Sequence, residues 1–220
     1  LQSLNGAARL SEVLRKDAEY VDRMRKIEGL AKSEVTAEFP LIHNSATVLL
    51  WGALEATFRD FVVRWLARYP TARQVPDLKK IRVSLVEYES LDGEDRMRYV
   101  VQILERELSA SLRPGAGRFD CILKPFGIVP TIDDGERRDL NEMAAVRNVI
   151  VHRAGIADDR LLKLCPWLRV QFGDLVTVNR GSLNRYVQAA SHYAAAIVRS
   201  ARAVTRAHSS DESLNGSAGS

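Results

Sequence analysis

The stretch DDGERRDLNEMAAVRNVIVHRAG, residues 133–155, decides the fold class. Asp133 and Asp134 are residues that favour a helix N-terminus, and Gly155 is typical of the position just past a helix C-terminus. Between these ends apolar residues recur at three- and four-residue spacings, which predicts an amphipathic helix. Three polar side chains interrupt its apolar pattern: Arg147, Asn148 and His152.

Helical geometry brings these three side chains to one side of the predicted helix. At about 100° per residue, Arg147, Asn148 and His152 fall within about 140° of one another. Arg147 is about 7.5 Å of helix rise from His152, a gap that its long side chain can span. Ala144 and Ala145 share this face and are small enough to admit another backbone. The three polar groups can converge on a phosphate, since arginine offers a charged fork of donors and histidine moves protons near neutral pH.

A structural role for the same residues stays open on the sequence alone. An arginine or a histidine on a helix is usually solvated or paired inside the protein. Glu55 supplies a candidate partner, because an acid within an apolar helical stripe needs a compensating group when ionised. We expect Arg147 to be that group. The stripe that surrounds Glu55 consists of Val48, Trp51, Phe58, Val62 and Trp65.

The rest of the chain is also mainly helical in pattern. Amphipathic spacing predicts helices over residues 9–32, 42–69, 78–90, 92–108 and 182–208. Asp92 and Ser182 are the predicted N-caps of the last two. Residues 111–132 contain Pro and Gly but are too apolar for a linker, so we expect a packed excursion with about one helical turn.

Two short β-prone runs around Gly173 and Asp174 predict one small hairpin near residues 168–179. Residues 209–220 have the composition of a disordered tail. We therefore expect a single all-α domain over residues 1–208, a bundle of about four to six helices with one hairpin.

Composition narrows the function classes. The 220 residues are 46% hydrophobic and 27% charged, and neither an apolar run of membrane-spanning length nor a signal peptide is recognisable, so we expect a cytoplasmic protein without membrane contact. A net charge of +4 permits contact with nucleic acid without requiring it. Cys121 and Cys165 stand far apart and are expected to be reduced thiols. With four histidines and no Cys/His cluster, no metal site and no cofactor is expected.

The hexapeptide RNVIVH, residues 147–152, resembles the R-x4–6-H signature of the HEPN superfamily in its R-N-x-x-x-H form. Members of this superfamily are α-helical bundles with the motif at the start of a late helix. An earlier helix typically carries a polar or acidic residue near the motif, and Glu55 in GALEATFRD is similar. The resemblance covers roughly residues 8–208 and is closest to the RiboL-PSP-HEPN type.

The resemblance implies a metal-independent endoribonuclease, often part of a toxin–antitoxin or other defence system. Arg147 and His152 would be the catalytic pair, Asn148 would orient them and Glu55 would support them. Single-stranded or loop regions of RNA would be the substrate, and an antitoxin protein is a further expected partner. Members usually form homodimers in which two motifs face each other.

Chemistry gives an independent reason to expect a homodimer. Cleavage through the 2′-hydroxyl needs a base, an acid and positive charge on the phosphorane, and the predicted face contains one histidine per chain. We expect Ala144, Ala145 and Val151 near the two-fold axis, flanked by residues 111–132. Two alternatives stay open: a non-catalytic HEPN module that partners a nucleotidyltransferase or antitoxin, and a plain dimerisation domain with an internal ion-pair network.

Overall fold

The computed structural model describes residues 18–108 and 115–216, which form α-helices and short 3₁₀ helices. The first half contains α1 (Ala18–Thr36), α2 (Pro40–Arg68), α3 (Pro76–Lys79), α4 (Leu85–Ser90) and α5 (Gly93–Leu108). The second half contains α6 (Gly117–Leu123), α7 (Asp134–Arg153), α8 (Asp159–Leu164) and α9 (Arg180–Gly216). The predicted all-α class is confirmed, but the described residues form nine α-helices where four to six were expected, because four short helices of four to seven residues add to the longer ones.

The helix boundaries follow local signals in the sequence. Pro40 begins α2, where its fixed φ suits the first helical turn and its missing N–H costs nothing. Asp92 directly precedes α5, as expected. The region predicted as one helix over 78–90 is two short helices, α3 and α4. Residues 9–17 of the predicted first helix lie outside the described residues, and the described part, Ala18–Thr36, extends four residues beyond the predicted end.

The hydrophobic core forms around α2, which packs against α5, α7 and α9. Its buried side chains recur every three or four residues, so they share one face of the helix. On α9 buried alanines alternate with tyrosines, which lets the long helix approach its neighbours closely. The buried residues of α2 are Thr47, Trp51, Leu54, Phe58, Val62, Val63, Trp65 and Leu66. No residue of α1 is buried.

The apolar excursion packs into this core as α6. Phe119 lies 4.5 Å from Phe58 and 5.6 Å from Trp51, measured between ring centroids. It also contacts the ring of Tyr193 on α9 at 6.0 Å. The predicted packed segment with about one helical turn is confirmed over the described residues 115–132, and its aromatic side chain joins α2 to α9.

The predicted hairpin over residues 168–179 is wrong. A turn does form around Gly173, but the two runs that flank it do not pair with each other. Instead Val176 N–H donates to Gly155 O at 2.8 Å, and Ala157 N–H donates to Asp174 O at 2.8 Å. The segment thus pairs with the chain that leaves α7, where an isolated antiparallel bridge joins Ile156 and Leu175. No strand forms in the described residues.

The final helix also differs at both ends from the prediction. Asn179 rather than Ser182 caps α9, because its side-chain oxygen accepts a hydrogen bond from Ser182 N–H at 2.8 Å. The helix continues to Gly216, where the sequence predicts a disordered tail from residue 209, and residues 217–220 lie outside the described part. No helix within the described ranges has the length and apolar character needed to cross a membrane.

Candidate functional site

Strong capping at both ends positions α7, the helix that carries the candidate motif. Asp133 Oδ1 accepts a hydrogen bond from Glu136 N–H at 2.7 Å, and the Glu136 carboxylate accepts one from Asp133 N–H at 3.3 Å. This reciprocal capping box satisfies two of the free N–H groups at the N-terminus. At the other end Ala154 and Gly155 both adopt positive φ, and Gly155 N–H donates to Val149 O at 3.1 Å. The predicted ends of the helix are confirmed.

A cleft of about 440 Å³ opens beside the C-terminal half of α7. One wall is a single helical stripe, since its members are spaced three and four residues apart. The opposite wall is α8, which folds back after the left-handed turn at Gly155. His152 is exposed and Asn148 is half-buried. The cleft is lined by Ala145, Asn148, Val149, His152, Arg153, Asp158, Arg160, Leu161 and Leu164.

Arg147 does not line this cleft, but it is bonded to Asn148, which does. Arg147 Nη1 donates to Asn148 Oδ1 at 3.1 Å. Arg147 Nε is buried and has no hydrogen-bond partner in the described residues. No carboxylate among those residues forms an ion pair with this guanidinium. An uncompensated, half-buried cation beside a cleft is suited to bind an anion.

The expected pairing of Glu55 with Arg147 is wrong. Glu55 Oε1 lies 3.1 Å from Arg118 Nη1, across the contact between α2 and α6. Arg118 is also 3.8 Å from Glu105, so it lies between two acids. Glu55 is therefore partnered by Arg118 of the excursion, 63 positions away, and within the described residues it forms no hydrogen bond or ion pair with the motif.

The expectation that Ala144 and Ala145 lie open at a partner-facing surface is wrong. They are 6% and 5% exposed, because the helices packed around α7 cover them within the protomer. In the excursion Phe119 is 2% exposed but Val129 is 63% exposed, so an interface flanked by this segment stays a prediction. Val151 alone of the three proposed contact residues is exposed, at 45%.

Glu142 is a buried acid on α7 that the sequence reading missed. It is 2% exposed and accepts hydrogen bonds from Tyr186 Oη at 2.7 Å and from Trp167 Nε1. Arg185 Nη2 lies 3.3 Å from the same carboxylate. A signal was present, because Glu142 shares an apolar helical stripe with Val146 and Val149. This is the pattern that pointed to Glu55.

The environment of Glu142 shifts two neighbouring groups. Burial, with the Glu142 charge nearby, raises the pKa of Cys165 to about 12. Burial and the same carboxylate also raise the pKa of Tyr186. Both neutral forms are favoured because a second negative charge beside a buried carboxylate is unfavourable. Cys165 is a buried free thiol and Cys121 a half-buried free thiol.

Arg153 and Arg160 are cleft residues that sequence reasoning did not identify. Arg153 is adjacent to the motif, but Arg160 enters the cleft only because α8 folds back onto α7. The remaining histidines lie elsewhere: His192 contacts Glu136, and the side chain of His208 is outside the described part. In the described residues no group of three or more His, Cys, Asp or Glu side chains could hold a metal ion.

Comparisons with protein-family models, curated proteins and solved structures found no match to this chain. The functional assignment therefore depends on the motif, on its geometry and on the chemistry available in the cleft.

Proposed function

We propose that the protein is a metal-independent endoribonuclease of the HEPN type that cleaves RNA by attack of the 2′-hydroxyl on the adjacent phosphate. The observation that carries the proposal is the state of Arg147. It has no carboxylate partner in the described residues, and its Nη1 is fixed by Asn148, which lines the same cleft as His152. An internal ion-pair network, the bland alternative, would have paired it with an acid.

The side chains divide the reaction as follows. His152 accepts the proton of the 2′-hydroxyl, whose oxygen then forms a bond to phosphorus. Arg147 donates hydrogen bonds to the phosphate oxygens and stabilises the charge of the phosphorane. The 5′-oxygen leaves with a proton, and the products are a 2′,3′-cyclic phosphate and a 5′-hydroxyl. Asn148 is a positioning residue, because its oxygen orients the Arg147 guanidinium.

The acid that protonates the leaving oxygen requires a second histidine, and the cleft of one protomer contains only His152. In our proposal His152 of the partner subunit supplies that proton in a symmetric homodimer. The exposed Val151, next to His152 on α7, is available for such a contact. Ala144 and Ala145 are not part of this proposed contact, since both are buried inside the protomer.

The defining experiment is an RNA cleavage assay in EDTA with wild-type protein and His152→Ala. Wild-type protein should cleave RNA and leave the all-deoxy oligonucleotide intact, because DNA lacks the 2′-hydroxyl. The variant should be inactive. Activity that disappears in EDTA and returns with Mg²⁺ would contradict the acid–base mechanism. Binding of RNA without cleavage would instead favour a non-catalytic HEPN module.

The composite site is tested by mixing wild-type subunits with His152→Ala subunits. A mixed dimer contains one His152 instead of two and lacks either the base or the acid, so activity should fall with the square of the wild-type fraction. A fall in direct proportion to the wild-type fraction, despite subunit exchange, would contradict a shared site. A monomer active at nanomolar concentration would also exclude a shared site.

The same proposal includes a role as a toxin that an antitoxin inhibits. Expression of the wild-type protein should then arrest growth, and expression of His152→Ala should not.

A further inference from the structure

The turn at residues 171–174 holds a phenylalanine out in solvent. Asp174 N–H donates to Gln171 O at 3.1 Å, and Gln171 N–H donates to Asp174 Oδ2 at 2.7 Å. Gly173 supplies the positive φ of 88° that the turn needs. Phe172 therefore stands at the tip, 68% exposed. The exposed ring enlarges the apolar surface formed by the neighbouring exposed bridge residues, and an extended exposed apolar surface indicates a binding site.

The turn is attached to the motif helix by backbone hydrogen bonds. Gly173 N–H donates to Ala157 O at 3.0 Å, and Ala157 N–H donates to Asp174 O at 2.8 Å. Because Ala157 follows the end of α7 by four residues, the position of Phe172 is coupled to that of His152. The ring does not depend on a free loop for its placement.

A second hollow, about 540 Å³ in volume, lies between this turn and α8. Phe172 and Ile156 form its apolar part. It shares Arg153, Asp158 and Arg160 with the cleft that contains His152. The two hollows therefore adjoin at these three residues, and together we call them the groove, with His152 in one hollow and Phe172 in the other.

Four charged side chains line the second hollow, and its two arginines are accompanied by the carboxylates of Asp158 and Asp159. Arg153 Nε lies 3.7 Å from Asp158 Oδ2, and Asp158 also caps α8 through Leu161 N–H at 2.9 Å. The charge of Arg153 is thus offset. Arg160 is exposed and has no ion pair or hydrogen bond in the described residues. It is the cation available to an incoming phosphate.

We infer that Phe172 and Arg160 form a subsite for one nucleotide of single-stranded RNA that flanks the scissile phosphate. The inference rests on the proposed nuclease function. The ring of Phe172 stacks on the unpaired base and the guanidinium of Arg160 contacts the adjoining phosphate, the combination by which proteins bind single strands. A protein partner would also cover Ile156 and Leu175, but the guanidinium of Arg160, which is unpaired within the described residues, and the residues shared with the His152 cleft favour a nucleotide.

Binding is measured with the full chain carrying His152→Ala, which keeps the RNA intact. The probe is a single-stranded RNA oligonucleotide that contains 2-aminopurine at one position at a time. Binding should quench the fluorescence at one position through stacking. Adding Phe172→Ala should remove that quenching and weaken binding about 10- to 100-fold. Phe172→Trp should restore both, and Phe172→Leu should restore neither, because leucine is apolar but cannot stack.

Arg160→Gln should weaken RNA binding about 3- to 30-fold and lower its dependence on salt. Leu49→Ala is the matched control for Phe172→Ala, since Leu49 is an exposed apolar residue on α2, and it should leave RNA binding unchanged. Far-ultraviolet circular dichroism and the urea midpoint verify that each variant is folded.

Several outcomes would overturn the subsite, and they separate it from the proposed function. If wild-type protein cleaves RNA and Phe172→Ala cleaves and binds equally well, the subsite is wrong and the nuclease stands. Rescue by Phe172→Leu, or a dimer that dissociates in Phe172→Ala with RNA affinity per dimer unchanged, would assign the patch to a protein contact. If wild-type protein neither binds nor cleaves RNA, both proposals fail.

Discussion

Two charged groups five residues apart on α7 have opposite surroundings. Glu142 is buried and accepts hydrogen bonds from Trp167, Tyr186 and Arg185, so its charge is fully compensated. Arg147 is half-buried, its Nε has no partner in the described residues, and its only described contact is Asn148. The same helix thus carries a carboxylate whose hydrogen bonds are satisfied and, five residues later, a guanidinium whose hydrogen bonds are not.

The contrast indicates which charge is structural and which is functional. A buried charge that is completely hydrogen-bonded has nothing left to offer a ligand, and its removal acts on stability. An unsatisfied charge at a cleft costs free energy in the folded protein, and a ligand can recover that cost on binding. Four predictions test this contrast.

The largest effect is expected on catalysis, at the motif residues near the C-terminal end of α7. His152→Ala and Arg147→Ala should each lower the RNA cleavage rate about 10²–10⁴-fold, the usual contribution of a positioned acid or base, with little change in the urea midpoint. Exposed residues on other surfaces, His192→Ala and Arg199→Ala, serve as controls and should cleave at the wild-type rate. Wild-type cleavage by both motif variants would place the active site elsewhere.

Removing Glu142, the buried and fully hydrogen-bonded group, should instead lower the free energy of unfolding. Glu142→Ala leaves Tyr186 Oη and Trp167 Nε1 without their acceptor, which costs about 1–3 kcal/mol for each buried donor. Arg185 is half-exposed and can return to water, so it adds little. Urea unfolding followed by tryptophan fluorescence measures the loss. Glu142→Gln keeps an acceptor and should lose less; an equal loss in both variants would show that charge dominates over hydrogen bonding.

The buried surroundings of Glu142 should also make the free energy of unfolding depend on pH in the alkaline range. The folded state retains the Cys165 proton up to a pKa of about 12, while the unfolded thiol loses it near its ordinary value. The unfolded state therefore binds fewer protons, and the free energy of unfolding should fall as pH rises, by up to about 1.4 kcal/mol per pH unit from this group.

Urea midpoints from pH 8 to pH 10.5 measure this fall. Cys165→Ala should flatten it, because the variant lacks the titrating thiol. A pH dependence identical to that of wild type would mean that Cys165 does not titrate between the two states as its burial predicts.

The smallest effect is expected for Glu55. Its carboxylate pairs with Arg118, and both side chains keep partial solvent exposure, so Glu55→Ala should change the free energy of unfolding by about 1 kcal/mol or less. RNA cleavage should be unchanged, because in the part of the chain that the structure describes no hydrogen bond or ion pair joins Glu55 to the motif. A loss of cleavage comparable to that of Arg147→Ala would restore the role expected from the sequence.

The fold was predictable wherever the signal was local. The acidic cap at Asp133, the proline that begins α2 and the turn residues after α7 act within one helical turn of their own position, so the sequence was sufficient to predict them. The predicted hairpin is wrong because β-prone runs around a glycine do not specify which segment of the chain they pair with. The pairing segment was the chain after Ala154, which is left extended by the end of α7.

For the candidate site, the sequence by itself determined that Arg147, Asn148 and His152 share one side of a capped helix, because helical periodicity is a local property of the chain. Tertiary structure alone decided that Arg118 rather than Arg147 pairs with Glu55, that Ala144 and Ala145 are covered, and that Arg160 and Phe172 lie along the groove. These outcomes depend on contacts between segments far apart in the chain. Spacing in the sequence fixes which face a residue occupies, but only packing determines what lies opposite that face.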